Sequence, residues 1–302
     1  ITCSRYGKGF PGQLGVYSDD HLEGLKRLSS EIKANGSVAI CQLHHAGMRS
    51  PENLIGQRPV CPSDNDEYNA RGLSIDEVEI LRDDFIKAAV RSEKAGFDGV
   101  ELHGAHGYIL AQFLSADINR RKDQYGQTLS NRSRILYEII DGIRRECHKD
   151  FIIGVRLSPE RFGLKLNDIT SLAEELMKSN KIDFLDMSLW DVFKDPEDEE
   201  FKGKKLISYF TELERGNTRL GVAGGIKTPL DAEKTIAEGV DWIMLGRAAI
   251  LHHNFPKMYE VNREFLPIET PVTEDYLSNE GVSKKFIEYL KNWKLVLDSN
   301  KA

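Results

Sequence analysis

The amino-acid sequence predicts an α/β protein, a parallel sheet covered by helices. Three observations carry this reading. Short apolar runs alternate with longer segments of helical periodicity. The runs are nearly continuous in apolar residues, as strands buried on both faces are. Polar, chemistry-bearing side chains gather where those runs end, which is where parallel α/β folds build their sites. Six strands are legible, a number that suits a doubly wound sheet, whereas a barrel needs eight. The opening Ile1-Thr2-Cys3 looks like the last turn of a strand already in progress. The expectation is therefore a TIM (β/α)8 barrel with the first strand and most of the second missing from the 302 residues. It would be a single domain over 1–302, with strands three to eight within 37–247 and a C-terminal helical extension at about 270–302.

Each element has a local reason. Residues 4–17 form a Gly-rich loop around Pro11. Ser18-Asp19-Asp20 opens a helix with a capping residue and first-turn acids. Leu22, Leu25, Leu28 and Ile32 give that helix an apolar face, and Gly36 stops it. The run 37–43 is a short buried strand that carries Gln42 and ends in His44 and His45. A long loop with Pro51, Pro59 and Pro62 follows. Ser74-x-x-Glu77 is a capping box for a helix to about Ala95, stopped by Gly96. Next come a strand at 98–103, a helix from Tyr108 to Leu114, a polar loop at 117–128 and a helix from about Asn131 to Cys147. The strand 151–157 bears Arg156 near its end. A helix at about 168–179, a strand at 183–189 and the solvated run K-D-P-E-D-E-E at 194–200 follow. A helix near 205–215 precedes the strand 220–223 and Gly224-Gly225. Thr228-Pro229 starts a helix that Gly239 ends, and the strand 241–245 runs into Gly246-Arg247. The tail predicts an amphipathic helix at about 283–297, packed through Phe286, Leu290, Trp293 and Leu297.

The totals exclude several classes. Hydrophobic residues make up 40% and charged residues 29%, an ordinary globular balance. A net charge of −7 argues against nucleic acid or an anionic membrane as main partner, while leaving room for a local phosphate pocket. No apolar run approaches the roughly 20 residues of a membrane span, and Ile1 to Arg5 has no signal-peptide pattern. Cys3, Cys41, Cys61 and Cys147 are scattered, without C-x-x-C. That usage fits a reducing, cytoplasmic setting and neither a disulfide framework nor a metal ribbon. The oligomeric state is left open, a homo-oligomer included.

The chemistry concentrates in Val100 to Ser115, V-E-L-H-G-A-H-G-Y-I-L-A-Q-F-L-S. Here a strand hands over to a helix through His103, His106 and Tyr108, set among Gly104, Ala105 and Gly107. Small residues let a large group approach the backbone. A single such His is usually a satisfied structural residue, but two His and a Tyr on one turn point to a site. The strand ends A-G-G-I at 223–226 and L-G-R-A at 245–248 offer backbone N–H groups and one Arg, a combination that suits phosphate. Gln42 can donate and accept at once, matching a heterocycle edge with N–H beside C=O. Arg156 would favour the anionic state of a ring beside it. Either could equally be a core hydrogen bonder. Together they suggest a phosphorylated, planar, reducible cofactor over the barrel mouth. One rival is a metal-dependent hydrolase using His44, His45, His103 and His106, although no Asp accompanies them at the last strand end. Another is a redox-silent flavin or ligand-binding protein.

With these residues in view, the chain resembles the Old Yellow Enzyme family, FMN-dependent NAD(P)H oxidoreductases on a TIM barrel. The matching segments are G-F-P-G-Q-L-G-V-Y at 9–17, Q-L-H-H-A-G at 42–47, residues 95–115, N-R-R-K-D-Q-Y-G at 119–126, A-G-G-I at 223–226 and G-R-A at 246–248. The central match is similar to the H-x-x-H branch. The resemblance implies a single FMN-binding domain in which Gln42 meets the flavin pyrimidine edge and Arg156 its N1 side. Ala223, Gly224 and Gly225, with Gly246 and Arg247, would hold the phosphate. His103 and His106 would donate to a substrate carbonyl or nitro oxygen, and Tyr108 would supply the proton. NAD(P)H would be the reductant and a small-molecule activated alkene the substrate. The family pattern is departed from at Tyr125-Gly126-Gln127, where a second Gly is usual, and at Ile250 to Asn254, where Asp-Pro often follows G-R-A.

Overall fold

The computed structural model describes residues 1–297. They separate into two compact units, Ile1–Leu189 with Asp195–Leu220, and Trp190–Lys194 with the described residues from Gly221 onward. In chain order the strands are β1 (Ile40–Leu43), β2 (Val60–Cys61), β3 (Arg71–Gly72), β4 (Gly99–Gly104), β5 (Ile152–Leu157), β6 (Phe184–Trp190), β7 (Arg219–Gly224) and β8 (Trp242–Met244). The helices are α1 (Leu22–Ala34), α2 (Glu52–Ile55), α3 (Ile75–Lys94), α4 (Ile109–Leu114), α5 (Leu129–Glu146), α6 (Leu166–Lys178), α7 (Ser208–Thr211), α8 (Pro229–Ala237), α9 (Arg247–Leu251), α10 (Phe255–Val261), α11 (Glu274–Asn279) and α12 (Lys284–Lys291).

In the first unit β1, β4, β5 and β6 run parallel in that order. Ile1 to Cys3 lie extended beside the end of β1: the His44 N–H donates to the Ile1 carbonyl at 2.9 Å and the Cys3 N–H to the His44 carbonyl at 3.0 Å. Glycines set the close approaches in the sheet. A Cβ on Gly154 would stand 2.0 Å from the Phe184 ring, and one on Gly99 2.3 Å from the Ile152 carbonyl oxygen. Helix α3 starts as its sequence dictates. Ser74 Oγ accepts the Glu77 N–H, and the Glu77 carboxylate accepts the Ser74 N–H. Its buried face, including Leu81, Phe85 and Ile86, packs on α5, whose Gly142 leaves room for the Ile86 side chain.

In the second unit β7 and β8 pair in parallel from Gly221 opposite Trp242 to Ala223 opposite Met244. Thr228 and Asp231 form a capping box on α8 with Pro229 in its first turn, as expected from Thr228-Pro229.

Several boundaries differ from the sequence reading. The first strand begins at Ile40, because Val38 is 63% exposed and the chain turns in only at Ala39. The helix expected near 205–215 is the single turn α7. The loop after β1 contains the short parallel pair β2–β3. The tail departs most: α12 ends at Lys291, and the chain then reverses so that Val296 bridges to Val272. The buried cluster there is Leu251, Val272, Leu277, Ile287, Leu290, Leu295 and Val296. Of the expected stripe only Leu290 is buried, while Phe286, Trp293 and Leu297 are exposed, because the chain leaves the helix after Lys291 and returns to make a single bridge with Val272. Residues 298–302 of the expected extension lie outside the described residues. No helix among the described residues is long and apolar enough to cross a membrane.

Candidate functional site

The first cluster grows out of β4, whose six residues are all buried. Alternation along the strand puts Glu101 and His103 on one face. Past Gly104 the backbone turns through left-handed conformations at His106 (φ 59°) and Gly107 (φ 70°). At Gly107 a Cβ would press to 2.8 Å on the Phe162 ring, so glycine is required there on two counts. The His106 N–H donates to Ser158 Oγ at 3.0 Å, and Arg49 Nη1 donates to the His106 carbonyl at 2.5 Å. Gln112, fully buried on α4, ties this turn to the loop after β1. Its Nε2 donates to the Ala46 and Gly107 carbonyls at 3.1 and 2.9 Å, and its Oε1 accepts the Met48 N–H at 3.2 Å.

Four rings meet at this point. Tyr108, at the N-cap of α4, stands edge-on to His44 at 4.3 Å and to His103 at 5.0 Å between centroids. His103 and His106 are 5.0 Å apart, with His103 Nε2 3.2 Å from His106 Nδ1. His103 Nδ1 accepts the Ala105 N–H at 3.3 Å, which leaves Nε2 as the protonated nitrogen of a neutral ring. Burial holds the imidazoles uncharged: His44 is pushed down to about 3, His106 to about 4, and His103 well below its ordinary value. Neutral imidazoles in this setting donate or accept hydrogen bonds without adding positive charge.

The expected residues divide into groups. His103, His106 and Tyr108 come together, joined by His44, whose Nδ1 lies 3.0 Å from Gln13 Nε2. His45 behaves as a core histidine. Burial lowers it to about 4, its Nδ1 accepts the Gly47 N–H, and a Cβ on Gly7 would collide with its ring. Among the described residues no three His, Cys, Asp or Glu side chains converge as one metal ion would need, so the hydrolase ligand set does not assemble.

Gln42 lies opposite Glu101 in the β1–β4 register and donates its amide to the Glu101 carboxylate. Arg156 lies opposite His103 and donates from Nε to Ser188 Oγ at 2.7 Å. Glu101 joins this set, although the sequence alone does not point to it. It is buried at 6% exposure, and its Oε1 has no partner. Its signal was a charged residue in an apolar strand, two positions before His103. The set of Gln42, Glu101 and Arg156 suits a heterocycle edge that carries both N–H and C=O.

The second cluster belongs to the other unit. Gly224 (φ 151°) and Gly225 (φ 68°) end β7, and a Cβ on Gly224 would come within 2.9 Å of the Asp191 N. At Gly246, just before α9, a Cβ would meet nothing within 4 Å, so the backbone is open to a close-lying group. Arg247 follows, exposed. Open glycine backbone beside an exposed guanidinium fits a phosphate, and these residues fit the phosphorylated cofactor that the sequence suggests.

Comparison with known proteins agrees with this chemistry. The family model described as NADH:flavin oxidoreductase / NADH oxidase matches residues 1–265. A probable NADH-dependent flavin oxidoreductase of Bacillus subtilis is 33% identical over 269 residues, 85% of this chain and 72% of that protein. An NADH:fumarate oxidoreductase of Klebsiella pneumoniae is 34% identical over 264 residues, 82% of this chain but only 28% of that longer protein. The solved structure of an Old Yellow Enzyme homologue from Zymomonas mobilis superposes with a TM-score of 0.77 at 27% identity, covering 91% of this chain and 80% of that one. The fold is thus the α/β TIM barrel of the Old Yellow Enzyme homologues. The chain belongs to the NADH:flavin oxidoreductase / NADH oxidase family, enzymes that use FMN with NAD(P)H as reductant.

Proposed function

We propose that this protein takes hydride from NAD(P)H and reduces the activated C=C bond of an α,β-unsaturated carbonyl or nitro compound. The observation that carries the reading is the neutral His103–His106 pair beside Tyr108 at the end of β4, in a chain of this flavin family. It also supports membership of the H-x-x-H branch. Bound FMN would supply the storage of hydride between NAD(P)H and the alkene. Gln42 and Arg156 would hold the flavin ring, and the guanidinium would favour a negatively charged ring beside it. Ala223, Gly224 and Gly225, with Gly246 and Arg247, would hold the phosphate.

The remaining work falls to the β4 turn. His103 and His106 would bind the substrate oxygen, on which negative charge builds as hydride arrives at the β-carbon. One such donor in a dry site contributes ~3–4 kcal/mol to the transition state. Their neutrality suits the task, because they stabilise that charge without giving up a proton of their own. Tyr108 would deliver its phenolic proton to the α-carbon. The four cysteines are free and buried, which supports a cytoplasmic setting.

Tyr108→Phe is the direct test. Steady-state reduction of 2-cyclohexenone should fall by about 10²-fold or more, while reduction of the bound flavin by NAD(P)H persists. Equal loss of both half-reactions would contradict the assigned role.

A further inference from the structure

One cation beside this cluster is unused by the reaction described above. Arg49 lies in the loop after β1 with its guanidinium 5.1 Å above the centre of the Tyr108 ring. One nitrogen, Nη1, is committed to the His106 carbonyl. Among the described residues Arg49 forms no ion pair, and its side chain is exposed. The groups around it do not balance its charge, because His44 and His106 are both held neutral by burial. A chain of net charge −7 thus keeps an uncompensated guanidinium over its candidate proton donor. A planar guanidinium with one nitrogen engaged keeps further N–H groups in a fixed fork, a geometry that matches a carboxylate.

We propose that Arg49 binds substrate: it receives the carboxylate of an activated alkene that carries one in addition to the carbonyl or nitro group held by His103 and His106. The substrate class is therefore the unsaturated oxo- or nitro-acid, in preference to its neutral ester. This assignment rests on the reductase reading above. A purely structural alternative is that Arg49 only clamps the His106 carbonyl, and the two roles differ in what they do to a neutral substrate.

The test uses the flavin-loaded protein with 4-oxo-2-pentenoate and its methyl ester, compared between the wild type and Arg49→Gln. The variant should lower kcat/KM for the acid about tenfold more than for the ester. Added salt should lower kcat/KM for the acid and spare the ester. A binding readout accompanies it. The Kd of the saturated acid, 4-oxopentanoate, followed through the flavin absorption bands, should weaken about tenfold more in Arg49→Gln than that of methyl 4-oxopentanoate. Arg49→Lys, which keeps the charge and loses the fork, should fall between. Equal losses for acid and ester would overturn the proposal and leave a clamp. If the wild type reduces 2-cyclohexenone yet does not prefer the acid, the Arg49 assignment alone fails. If bound flavin is reduced by NAD(P)H but reoxidised by none of the three alkenes, the reductase reading fails and this inference with it.

Discussion

Burial of uncharged imidazoles sets the acid response of individual residues. Free in an unfolded chain, His45 and His106 would take up protons near the ordinary value of 6.5, whereas in the fold they do so near 4. Between those values the unfolded chain binds more protons, so their contribution to stability is complete above about pH 6.5 and is lost as pH falls toward 4. The urea midpoint should therefore be lower at about pH 5 than at about pH 7, and His45→Gln should flatten that dependence. A midpoint rising on acidification would contradict the buried neutral state. At this scale the sequence was most legible where residue types cluster: His103, His106 and Tyr108 share one turn and meet in the structure. Arg49 was illegible because it lies in a proline-broken loop, where no periodicity tells which way a side chain faces. Glu101 is illegible in the sequence because a lone charge in a buried strand gives no hint of the Gln42 amide opposite.

Elements are held to one another by few and specific contacts. Gln112 joins α4 to the loop after β1 and to the β4 turn through three hydrogen bonds. Gln112→Leu would take the side-chain partner from the Gly107 carbonyl and the Met48 N–H, while the Ala46 carbonyl keeps the Arg49 N–H, at a cost of about 2 kcal/mol or more. Urea unfolding should register the loss, and turnover should fall with it, because the Gly107 carbonyl lies next to Tyr108. Within the sheet, Gly154→Ala would drive a methyl into the Phe184 ring and should cost ~1–3 kcal/mol, with unchanged midpoints as the contrary result. Helix starts are readable from the caps at Ser74 and Thr228, because a side-chain oxygen on an unpaired N–H is a local device. The tail helix was overextended for the opposite reason. Leu295 and Val296 keep an apolar pattern while pairing with Val272, a partner distant in sequence that periodicity cannot reveal.

For the whole molecule, the alternation of buried strands and helices specified the class, since strands buried on both faces leave continuous apolar runs. All six strands of the sequence reading are present within a few residues of their expected bounds. The choice between a doubly wound sheet and a barrel was not legible from that rhythm alone, because both use the same local units, and it rests on the likeness to the Old Yellow Enzyme homologue. The proposed role of these residues is to serve a flavin poised between NAD(P)H and an activated alkene. The most direct measurement is the absorption spectrum of the purified protein with FMN under anaerobic conditions, recorded before and after NADPH and again after 2-cyclohexenone. If that role holds, bound-flavin bands bleach with NADPH and return with the enone. A protein that binds no FMN, or whose bleached flavin stays bleached when the enone is added, would contradict it.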